Sequence, residues 1–271
     1  MDNLFLSPSE ISKTLSRIGE KKATATIFEL FVFGILAGIY ISFGAHVAMA
    51  VLSGQTLDQG FARFLAGSVF SVGLMLVLIP GSELFTGNIL MTIGFIYRKY
   101  SFAKVLRNWL VVYLGNLAGA LIISFLVFKS GLFGVQDSLT SMGEVLVRTS
   151  DLKLNLIFSQ ALCRGILCNM LVCLAVIMSI ASKTVIGKIF GIYFPIMTFV
   201  ASGYEHSVAN MFFLPAGLMA QGRFFSHFFT IFNNLIPVTI GNIIGGLLVV
   251  LLHPKVEERI ARIFTGKGSQ R

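Results

Sequence analysis

Runs of hydrophobic residues, separated by short polar segments, predict six membrane-spanning helices. A bilayer crossing takes about 20 apolar residues, and each run meets this length. The second and fifth runs are longer than one crossing needs, and each contains a short polar interruption. The pattern therefore predicts an all-α membrane protein in which helices 2 and 5 are broken. The predicted spans cover residues 24–51, 61–97, 104–128, 155–182, 188–218 and 226–253.

The two interruptions share the pattern G-x-E-x-x-x-(G/A)-N. The first covers residues 81–88 and the second covers residues 203–210. Charged and helix-breaking residues inside the membrane are costly, so a function has to account for them. Because the interruptions lie at corresponding places in the two chain halves, they indicate the paired broken helices of a transport protein.

Short sequence matches relate the two halves of the chain. They occur in the same order in both halves, and an odd number of spans in each half means that the halves are inserted in opposite senses. The prediction is a fold of two inverted three-helix repeats. The matched pairs are Gly34 with Gly165, Asn108 with Asn234, Gly115 with Gly241, Asn116 with Asn242, and Gly119 with Gly245.

The remaining segments are polar. At residues 7–22, a capping box of Ser7 and Glu10 and an apolar stripe predict an amphipathic helix on the membrane surface or at a pore mouth. The sequence leaves open whether this helix gates a pore. Residues 129–154 form the longest hydrophilic stretch and predict an ordered loop outside the membrane. Residues 1–271 are expected to form one transmembrane channel domain, with the N-terminal helix in 1–23, a six-span core in 24–253 and a basic cytoplasmic tail in 254–271.

Composition and charge fit a membrane protein. Only 12% of the residues are charged and 55% are hydrophobic, whereas about a quarter of an ordinary soluble domain is charged. With the N-terminus in the cytoplasm, fifteen Lys and Arg residues fall in inner segments and five in outer segments. This positive-inside bias predicts that both termini are cytoplasmic, and it explains the net charge of +9 without a nucleic-acid partner. Residues 1–23 lack the apolar core of a secretory signal peptide.

Three cysteines, Cys163, Cys168 and Cys173, lie in one predicted span. Their spacing of five spreads them around the helix, which predicts packing roles instead of a disulfide or a metal site. We expect no metal and no cofactor.

The interruptions carry groups suited to a small anion. The N–H groups and the dipole at the start of each half-helix favour negative charge. Thr86 adds a hydroxyl donor, and His206 is the residue of the interruptions that changes charge near neutral pH. Three roles are open for Asn169 in span 4. It holds Thr86 in place, it lines the path, or its amide makes hydrogen bonds between helices without a role in transport. The sequence thus predicts a path for a small anion with His206 at its centre.

Other polar residues of the interruptions have structural explanations. The carboxylates Glu83 and Glu205 are expected to cap the helix starts, because a carboxylate facing the path would repel an anion. The same capping role is expected for Asn88 and Asn210, five residues further on.

Several residues near the interruptions have open roles. Arg164 and Glu29 are paired within the bundle or at a subunit contact. Large apolar residues near the interruptions form either hydrophobic constrictions or ordinary core packing. These apolar residues are Phe70, Leu74, Leu84, Phe85 and Phe199.

Three segments resemble the formate–nitrite transporter family, whose members include formate, nitrite and hydrosulfide channels of bacteria. The segments read ELFT at 83–86, GILCN-x-LVCLA at 165–175 and SGYEHSVANM at 202–211. The resemblance extends from the N-terminal helix to span 6. It implies a homopentamer of aquaporin-like protomers in the bacterial inner membrane, with a separate pore in each protomer.

The resemblance also implies roles for single residues. By motif match, Thr86, His206 and Asn169 resemble the residues at the pore centre, and Lys153 resembles a vestibule lysine that draws anions inward. Because stripping water from an anion is costly, its neutral conjugate acid crosses an apolar constriction more easily. We therefore expect a proton to reach the anion through the His206 site, either from His206 itself or relayed from water. The resemblance places Phe70 and Phe199 in an outer constriction and Leu74, Leu84 and Phe85 in an inner one.

Three other functions are compatible with parts of the pattern. An aquaporin-like channel for neutral solutes shares the broken helices, but no Asn-Pro pair of its characteristic loops occurs in the chain. A strictly proton-coupled secondary anion transporter would use the same histidine. An intramembrane hydrolase would need Glu205, His206 and Ser207 to face one another, which adjacent residues do not do. The sequence does not decide which anion is physiological.

Overall fold

In the computed structural model, which describes residues 4–254 and 256, α-helices follow one another along both halves of the chain. The predicted all-α class is confirmed. The first half contains α1 (Pro8–Thr24), α2 (Ile27–Leu52), α3 (Gln59–Phe70), α4 (Val72–Leu78), α5 (Phe85–Asn88), α6 (Thr92–Ile96) and α7 (Phe102–Lys129). The second half contains α8 (Ser141–Leu154), α9 (Phe158–Ala181), α10 (Val185–Ala201), α11 (Ser207–Ala220), α12 (Phe224–His227) and α13 (Ile231–Leu251). Short 3₁₀ turns lie at Ile89–Met91, Gln136–Ser138 and Phe228–Thr230.

Five helical stretches of the described residues are long and apolar enough to cross a membrane. The predicted fifth span is divided into α10 and α11, which have 17 and 14 residues and are each shorter than a full crossing. The predicted second span continues beyond its interruption as the shorter apolar segment Phe85–Ile96. The five long stretches are Ile27–Leu52, Gln59–Leu78, Phe102–Lys129, Phe158–Ala181 and Phe224–Leu251.

Both polar interruptions break their helices, as the sequence predicts. Gly81 and Gly203 have φ angles of +97° and +72°, in the left-handed region that glycine reaches without steric cost. After each glycine the helix does not continue, and a new helix begins at Phe85 or at Ser207. The second of these helices, α11, is buried along its whole length. The new helix starts therefore lie inside the protein.

Two pairs of long helices pack closely through glycine residues. A β-carbon on Gly34 of α2 would lie 3.1 Å from the Cα of Gly115 in α7. A β-carbon on Gly165 of α9 would lie 3.2 Å from the Cα of Gly241 in α13. Small residues at such contacts let helix backbones approach each other. The α2–α7 and α9–α13 pairs thereby form the frame that holds the broken helices.

The segment 129–154 is only partly a loop, so that prediction was wrong for the second part of the segment. Its second part forms α8, and the Thr140 side chain caps this helix by accepting a hydrogen bond from the Gly143 N–H. One face of α8 buries Leu146 and Ser150 and packs against α11. Because α8 has no apolar run of span length, a search for hydrophobic stretches does not find it.

The predicted N-terminal helix is present as α1. Ser7 and Glu10 form its capping box, and Ile11 and Leu15 are buried in an apolar cluster with residues of α9 and α13. Lys255 and residues 257–271, which make up most of the predicted basic tail, lie outside the described residues.

Candidate functional site

The two interruptions meet at a contact between Thr86 and His206. Thr86 lies in α5, and His206 is the residue that caps the start of α11. The Thr86 Oγ1 atom lies 2.9 Å from His206 Nε2. Both side chains are buried, with 0% and 3% of their surface exposed. The structure therefore brings together the two side chains that the sequence pattern assigned to the centre of the path.

The hydrogen bonds of His206 define the neutral form of its ring. The Nδ1 atom accepts a hydrogen bond from the Ala209 N–H at 3.1 Å. A backbone N–H is always a donor, so Nδ1 carries no proton and the neutral ring has its proton on Nε2. Nε2 then donates to the Thr86 hydroxyl oxygen. The hydroxyl proton of Thr86 is left to donate to a ligand.

The Thr86 backbone is held from α9. Asn169 Nδ2 donates to the Thr86 carbonyl at 3.2 Å and to the Asn242 carbonyl at 2.6 Å. The Cys173 thiol, one turn further along α9, donates to the same Thr86 carbonyl at 3.7 Å. Asn169 thus holds Thr86, and its Oδ1 atom is buried without a partner among the described residues. Cys173 has a hydrogen-bonding role in addition to the packing role that its position predicts.

An asparagine holds the start of each half-helix. Asn116 Oδ1 accepts from the Phe85 N–H, and Asn242 Oδ1 accepts from the Ser207 N–H, both at 2.9 Å. Asn116 Nδ2 donates to the Glu83 carbonyl at 2.9 Å, and Asn242 Nδ2 donates to the Glu205 carbonyl at 3.0 Å. Unpaired backbone groups at these buried breaks would be costly. The asparagines satisfy them and fix both sides of each break.

A lysine neutralises the carboxylate of each interruption. Lys22 Nζ lies 2.9 Å from Glu83 Oε1, and Lys153 Nζ lies 2.9 Å from Glu205 Oε1. The carboxylates therefore do not have the predicted capping role. They accept hydrogen bonds from side chains, because a charged donor offsets the burial of a carboxylate better than a neutral N–H does.

Lys22 belongs to the site although the sequence pattern did not single it out. Lys22 and Lys153 lie in the last turns of α1 and α8, and each turn is followed by a long apolar helix. Each lysine also precedes its matched glycine by twelve residues, Gly34 in one half (34 − 22) and Gly165 in the other (165 − 153). This equal spacing is the signal that identifies Lys22.

A closed ring of hydrogen bonds surrounds Glu205. Asn210 Nδ2 donates to Glu205 Oε2 at 2.6 Å and to Asn234 Oδ1 at 2.7 Å. Asn234 Nδ2 donates to the Lys153 carbonyl at 2.9 Å, and the Lys153 ammonium closes the ring at Glu205. Asn210 therefore supports the carboxylate and does not cap a helix.

The network around Glu83 is similar, but it closes through fewer residues. Asn88 Nδ2 donates to Glu83 Oε2 at 2.7 Å and to Asn108 Oδ1 at 2.8 Å. The Asn108 Nδ2 atom, however, is buried and has no partner among the described residues. Lys22 Nζ donates to Asn88 Oδ1 at 2.7 Å in addition to Glu83. Asn88, like Asn210, supports a carboxylate and does not cap a helix start.

Two cavities approach the Thr86–His206 contact along α3 and α4. The first, called here the His206 cavity, has a volume of about 200 Å³ and is lined by His206, Phe70, Phe199 and Lys153, among others. The second, called here the Lys22 cavity, has a volume of about 250 Å³ and is lined by Lys22, Leu74 and Leu84, among others. Because α3 residues up to Phe70 line the first cavity and α4 residues from Leu74 onward line the second, the cavities lie at opposite ends of these helices.

The aromatic residues near the contact have two different roles. The rings of Phe70 and Phe199 meet edge to face with centroids 5.6 Å apart, and the Phe199 ring stacks 5.8 Å from the His206 ring. Phe85, in contrast, packs against Tyr113 and Trp109 of α7, with centroid distances of 4.9 Å and 6.3 Å. Phe85 is absent from the described lining of either cavity. The start of α5 turns its side chain towards α7, so the structure does not place Phe85 in an inner constriction.

The chain is similar to known proteins over most of its length. A family model described as formate/nitrite transporter matches residues 9–255. The "Probable formate transporter" of Methanothermobacter thermautotrophicus is 41% identical over 265 residues, which cover 92% of this chain and 96% of that protein. The "Formate channel FocA" of Escherichia coli (strain K12) is 38% identical over 270 residues, covering 92% of this chain and 94% of that protein.

A solved structure is similar as well. The protein described as "Pentameric formate channel with formate bound" matches with a TM-score of 0.73 and 33% sequence identity, covering 88% of this chain and 98% of that chain. The residues matched by the family model include every residue of the site described above. The likeness therefore covers both the fold and the site.

Proposed function

The chain belongs to the formate/nitrite transporter family, and on this premise we propose that it is a membrane channel for small monovalent weak-acid anions. Formate is the first candidate substrate, because two relatives and one structural neighbour are described as formate transporters or channels. Nitrite and hydrosulfide carry the same charge and belong to the same proposed class. The family consists of transport proteins and not of enzymes.

The Thr86–His206 contact is the observation that carries this proposal. It joins the two broken helices at a buried point that both cavities approach. Because His206 donates to Thr86, the Thr86 hydroxyl is oriented to donate its proton to a bound anion. In this proposal Thr86 contacts the anion directly and His206 orients Thr86.

The geometry supports a relay of the proton from water instead of donation by a charged histidine. A doubly protonated His206 would carry hydrogen on Nδ1 and would lose the hydrogen bond from the Ala209 N–H. A neutral His206 that gave up its Nε2 proton would become an imidazolate, which does not form near neutral pH. We therefore propose that Thr86, oriented by His206, holds the anion by a hydrogen bond while water in the cavity delivers the proton.

Apolar side chains on both sides of the contact favour passage of the neutral acid. Phe70 and Phe199 line the His206 cavity, and Leu74 and Leu84 line the Lys22 cavity. Removing water from an anion in such surroundings costs far more than removing it from the neutral conjugate acid. The anion is therefore proposed to take up a proton near Thr86 and to cross the constrictions as the neutral acid.

The proposed architecture has six spans arranged as two inverted three-helix repeats. The paired roles of Asn116 and Asn242, and of Lys22 and Lys153, support this arrangement because each pair makes the same contacts in the two halves. An odd number of spans in each half requires opposite orientation in the membrane.

We further propose that the protomers form a homopentamer. Arg164 lies on an exposed face of α9, within a span, and makes no ion pair with the described residues. A charge that faced lipid at this position would be costly, so a neighbouring copy is proposed to cover it. Glu29 has a different role, because its carboxylate caps α2 by accepting from the Thr26 N–H at 2.8 Å.

The proposed location is the inner membrane of a bacterial cell, with both termini in the cytoplasm. The excess of Lys and Arg in the predicted inner segments supports this orientation. In this orientation α1 and the Lys22 cavity are on the cytoplasmic side, and the His206 cavity is on the outer side.

Two alternative transport functions share this site. In a neutral-solute channel the cationic residues that line both cavities would not attract the substrate, because the substrate carries no charge. A strictly proton-coupled secondary transporter would use the same Thr86 and His206 and would differ in a fixed ratio of protons to anions. A hydrolase is disfavoured, because His206 bonds to Thr86 and Ala209 while the Ser207 hydroxyl has no partner among the described residues.

Flux measurements on the full-length protein in proteoliposomes test the proposal. We expect the wild-type protein to pass formate faster at acidic than at neutral pH, and not to pass glycerol. Thr86→Val should lower formate flux about tenfold, since a hydrogen bond to a charged group contributes about 1.5 kcal/mol. Thr86→Ser should retain the flux. If Thr86→Val and His206→Ala both conduct formate like the wild type, the proposed mechanism is wrong.

A further inference from the structure

Each cavity is lined by one lysine that a carboxylate neutralises. Lys153 is paired with Glu205 and Lys22 with Glu83, each at 2.9 Å. Several ångströms away, such a pair acts as a weak dipole and attracts an anion much less than an unpaired cation does. The attraction expected from Lys153 is therefore largely cancelled by Glu205.

Each cavity has a second cation that is not neutralised. Arg63 of α3 lines the His206 cavity, and Lys188 of α10 lines the Lys22 cavity. Neither side chain forms an ion pair with a carboxylate of the described residues. Each lies near the start of the helix that leads into an interruption. The two cavities thus have the same composition of one paired lysine and one unpaired cation.

Other charged residues in the cavity linings do not cancel this excess of positive charge. Glu205 is the carboxylate in the described lining of the His206 cavity, and the described lining of the Lys22 cavity contains none. A separate cavity of about 650 Å³ beside α1 is balanced, because its lining contains two lysines and two glutamates. The uncompensated positive charge therefore lies in the two cavities that lead to Thr86 and His206.

We propose that Arg63 and Lys188 are the anion-steering residues of this protein, one at each entrance. They raise the local concentration of a monovalent anion without contacting it at Thr86. A cleft with unpaired charge and low-dielectric walls focuses the electric field and raises the rate of association. The neutral acid is not attracted in this way, so the effect is confined to the anionic form. This inference rests on the proposed function as an anion channel.

Initial rates of formate entry into sealed vesicles test the inference. Right-side-out and inverted vesicles containing the full-length protein report the two faces separately. The ionic strength is varied from about 10 mM to about 1 M, over which the screening length falls from about 30 Å to about 3 Å. We expect Arg63→Gln to slow entry from one face and Lys188→Gln to slow entry from the other, each by roughly three- to tenfold at low salt and neutral pH.

Conservative and matched variants separate steering from structural damage. Arg63→Lys and Lys188→Arg should restore the rate and its salt dependence. Arg148→Gln and Lys99→Gln remove exposed cations that line neither cavity, and they should behave like the wild type. As the pH falls and neutral formic acid makes up a larger share of the substrate, the difference between Arg63→Gln and the wild type should shrink.

The possible results distinguish the two proposals. If Arg63→Gln and Lys188→Gln keep the wild-type rate and salt dependence while Thr86→Val blocks flux, the steering inference is overturned and the proposed channel function stands. If the wild-type protein passes no formate, nitrite or hydrosulfide, both are overturned.

Discussion

Lys153 and Glu205 form an ion pair in which both side chains are largely removed from solvent. The Nζ and Oε1 atoms are 2.9 Å apart, and 14% and 4% of the two side chains are exposed. Lys153 Nζ also lies 5.3 Å from the centroid of the Phe213 ring. At such a site the loss of one charge leaves the other buried and unpaired, which is more damaging than the loss of both.

Lys153→Met is therefore expected to lower the free energy of unfolding by about 3 kcal/mol. The double variant Lys153→Met/Glu205→Met should recover most of this loss, because no unpaired charge remains. Thermal unfolding of the purified protein in detergent measures both effects, and Lys129→Met, at an exposed position, is the control. A double variant that is no more stable than the single variant would contradict the prediction.

Asn242→Leu is expected to destabilise the second break. The substitution removes one accepted and two donated hydrogen bonds, which join Asn242 to Ser207, Gly165 and Glu205. Leaving these buried groups unpaired should lower the free energy of unfolding by about 2–3 kcal/mol and should abolish formate flux. Asn242→Asp, which retains the acceptor, should be intermediate. Asn155→Ala, at an exposed position, should match the wild type in the same unfolding and flux assays.

Phe85 and Phe199 should respond differently to the same substitution. Phe85→Leu loses ring contacts with α7, so it should lower the free energy of unfolding by about 1 kcal/mol while leaving the ratio of formate to acetate flux unchanged. Phe199→Leu widens the His206 cavity and should raise acetate flux relative to formate flux. Formate and acetate fluxes are measured side by side for both variants. A changed ratio of formate to acetate flux in Phe85→Leu would place Phe85 on the path.

Acidification is expected to loosen α1 from the end of α13. His253 Nδ1 lies 3.2 Å from Ser12 Oγ of α1, and burial lowers the pKa of His253 below its ordinary value of about 6.5. Well above pH 6.5 His253 is neutral whether or not α1 is docked. As the pH falls below that value, a released His253 binds a proton that the docked form resists, so docking becomes less stable.

Hydrogen exchange of residues 8–24 at about pH 5.5 and about pH 7.5 measures this change, after correction for the intrinsic exchange rates. We expect faster exchange at the lower pH in the wild type and equal corrected rates in His253→Gln. If His253→Gln keeps the wild-type dependence on pH, another group is responsible.

The breaks in the helices could be predicted because their glycine and charged residues interrupt apolar runs. Glycine and charged residues inside an apolar run are unfavourable in a continuous helix, so Gly81 and Gly203 identify both breaks. The central contact could also be predicted, since Thr86 and His206 are the residues of the breaks that suit an anion. What could not be predicted is the distance and direction of that contact, which depend on how α9 and α13 hold the two segments.

Other features were missed for specific physical reasons. The helix α8 is amphipathic and too polar to appear in a hydropathy pattern, although its Thr140 cap is visible in the sequence. The ion pair of Lys22 and Glu83 joins the end of α1 to the first break, which are far apart in sequence. The twelve-residue spacing that Lys22 shares with Lys153 identifies Lys22 but not its partner. Phe85 is adjacent to Thr86 in sequence, but successive residues of a helix point in different directions.

The hydrogen-bonded ring around Glu205 closes upon itself without help from any permeating molecule. Lys153, Asn210 and Asn234 are linked to Glu205 and to one another, and the Asn210 Oδ1 atom is buried without a partner among the described residues. Around Glu83 a smaller ring closes through Lys22 and Asn88, and Asn108 Nδ2 is buried without a partner among the described residues. The two breaks are thus cross-linked to a similar degree, and we expect both to keep the same shape when the path is empty and when it is occupied.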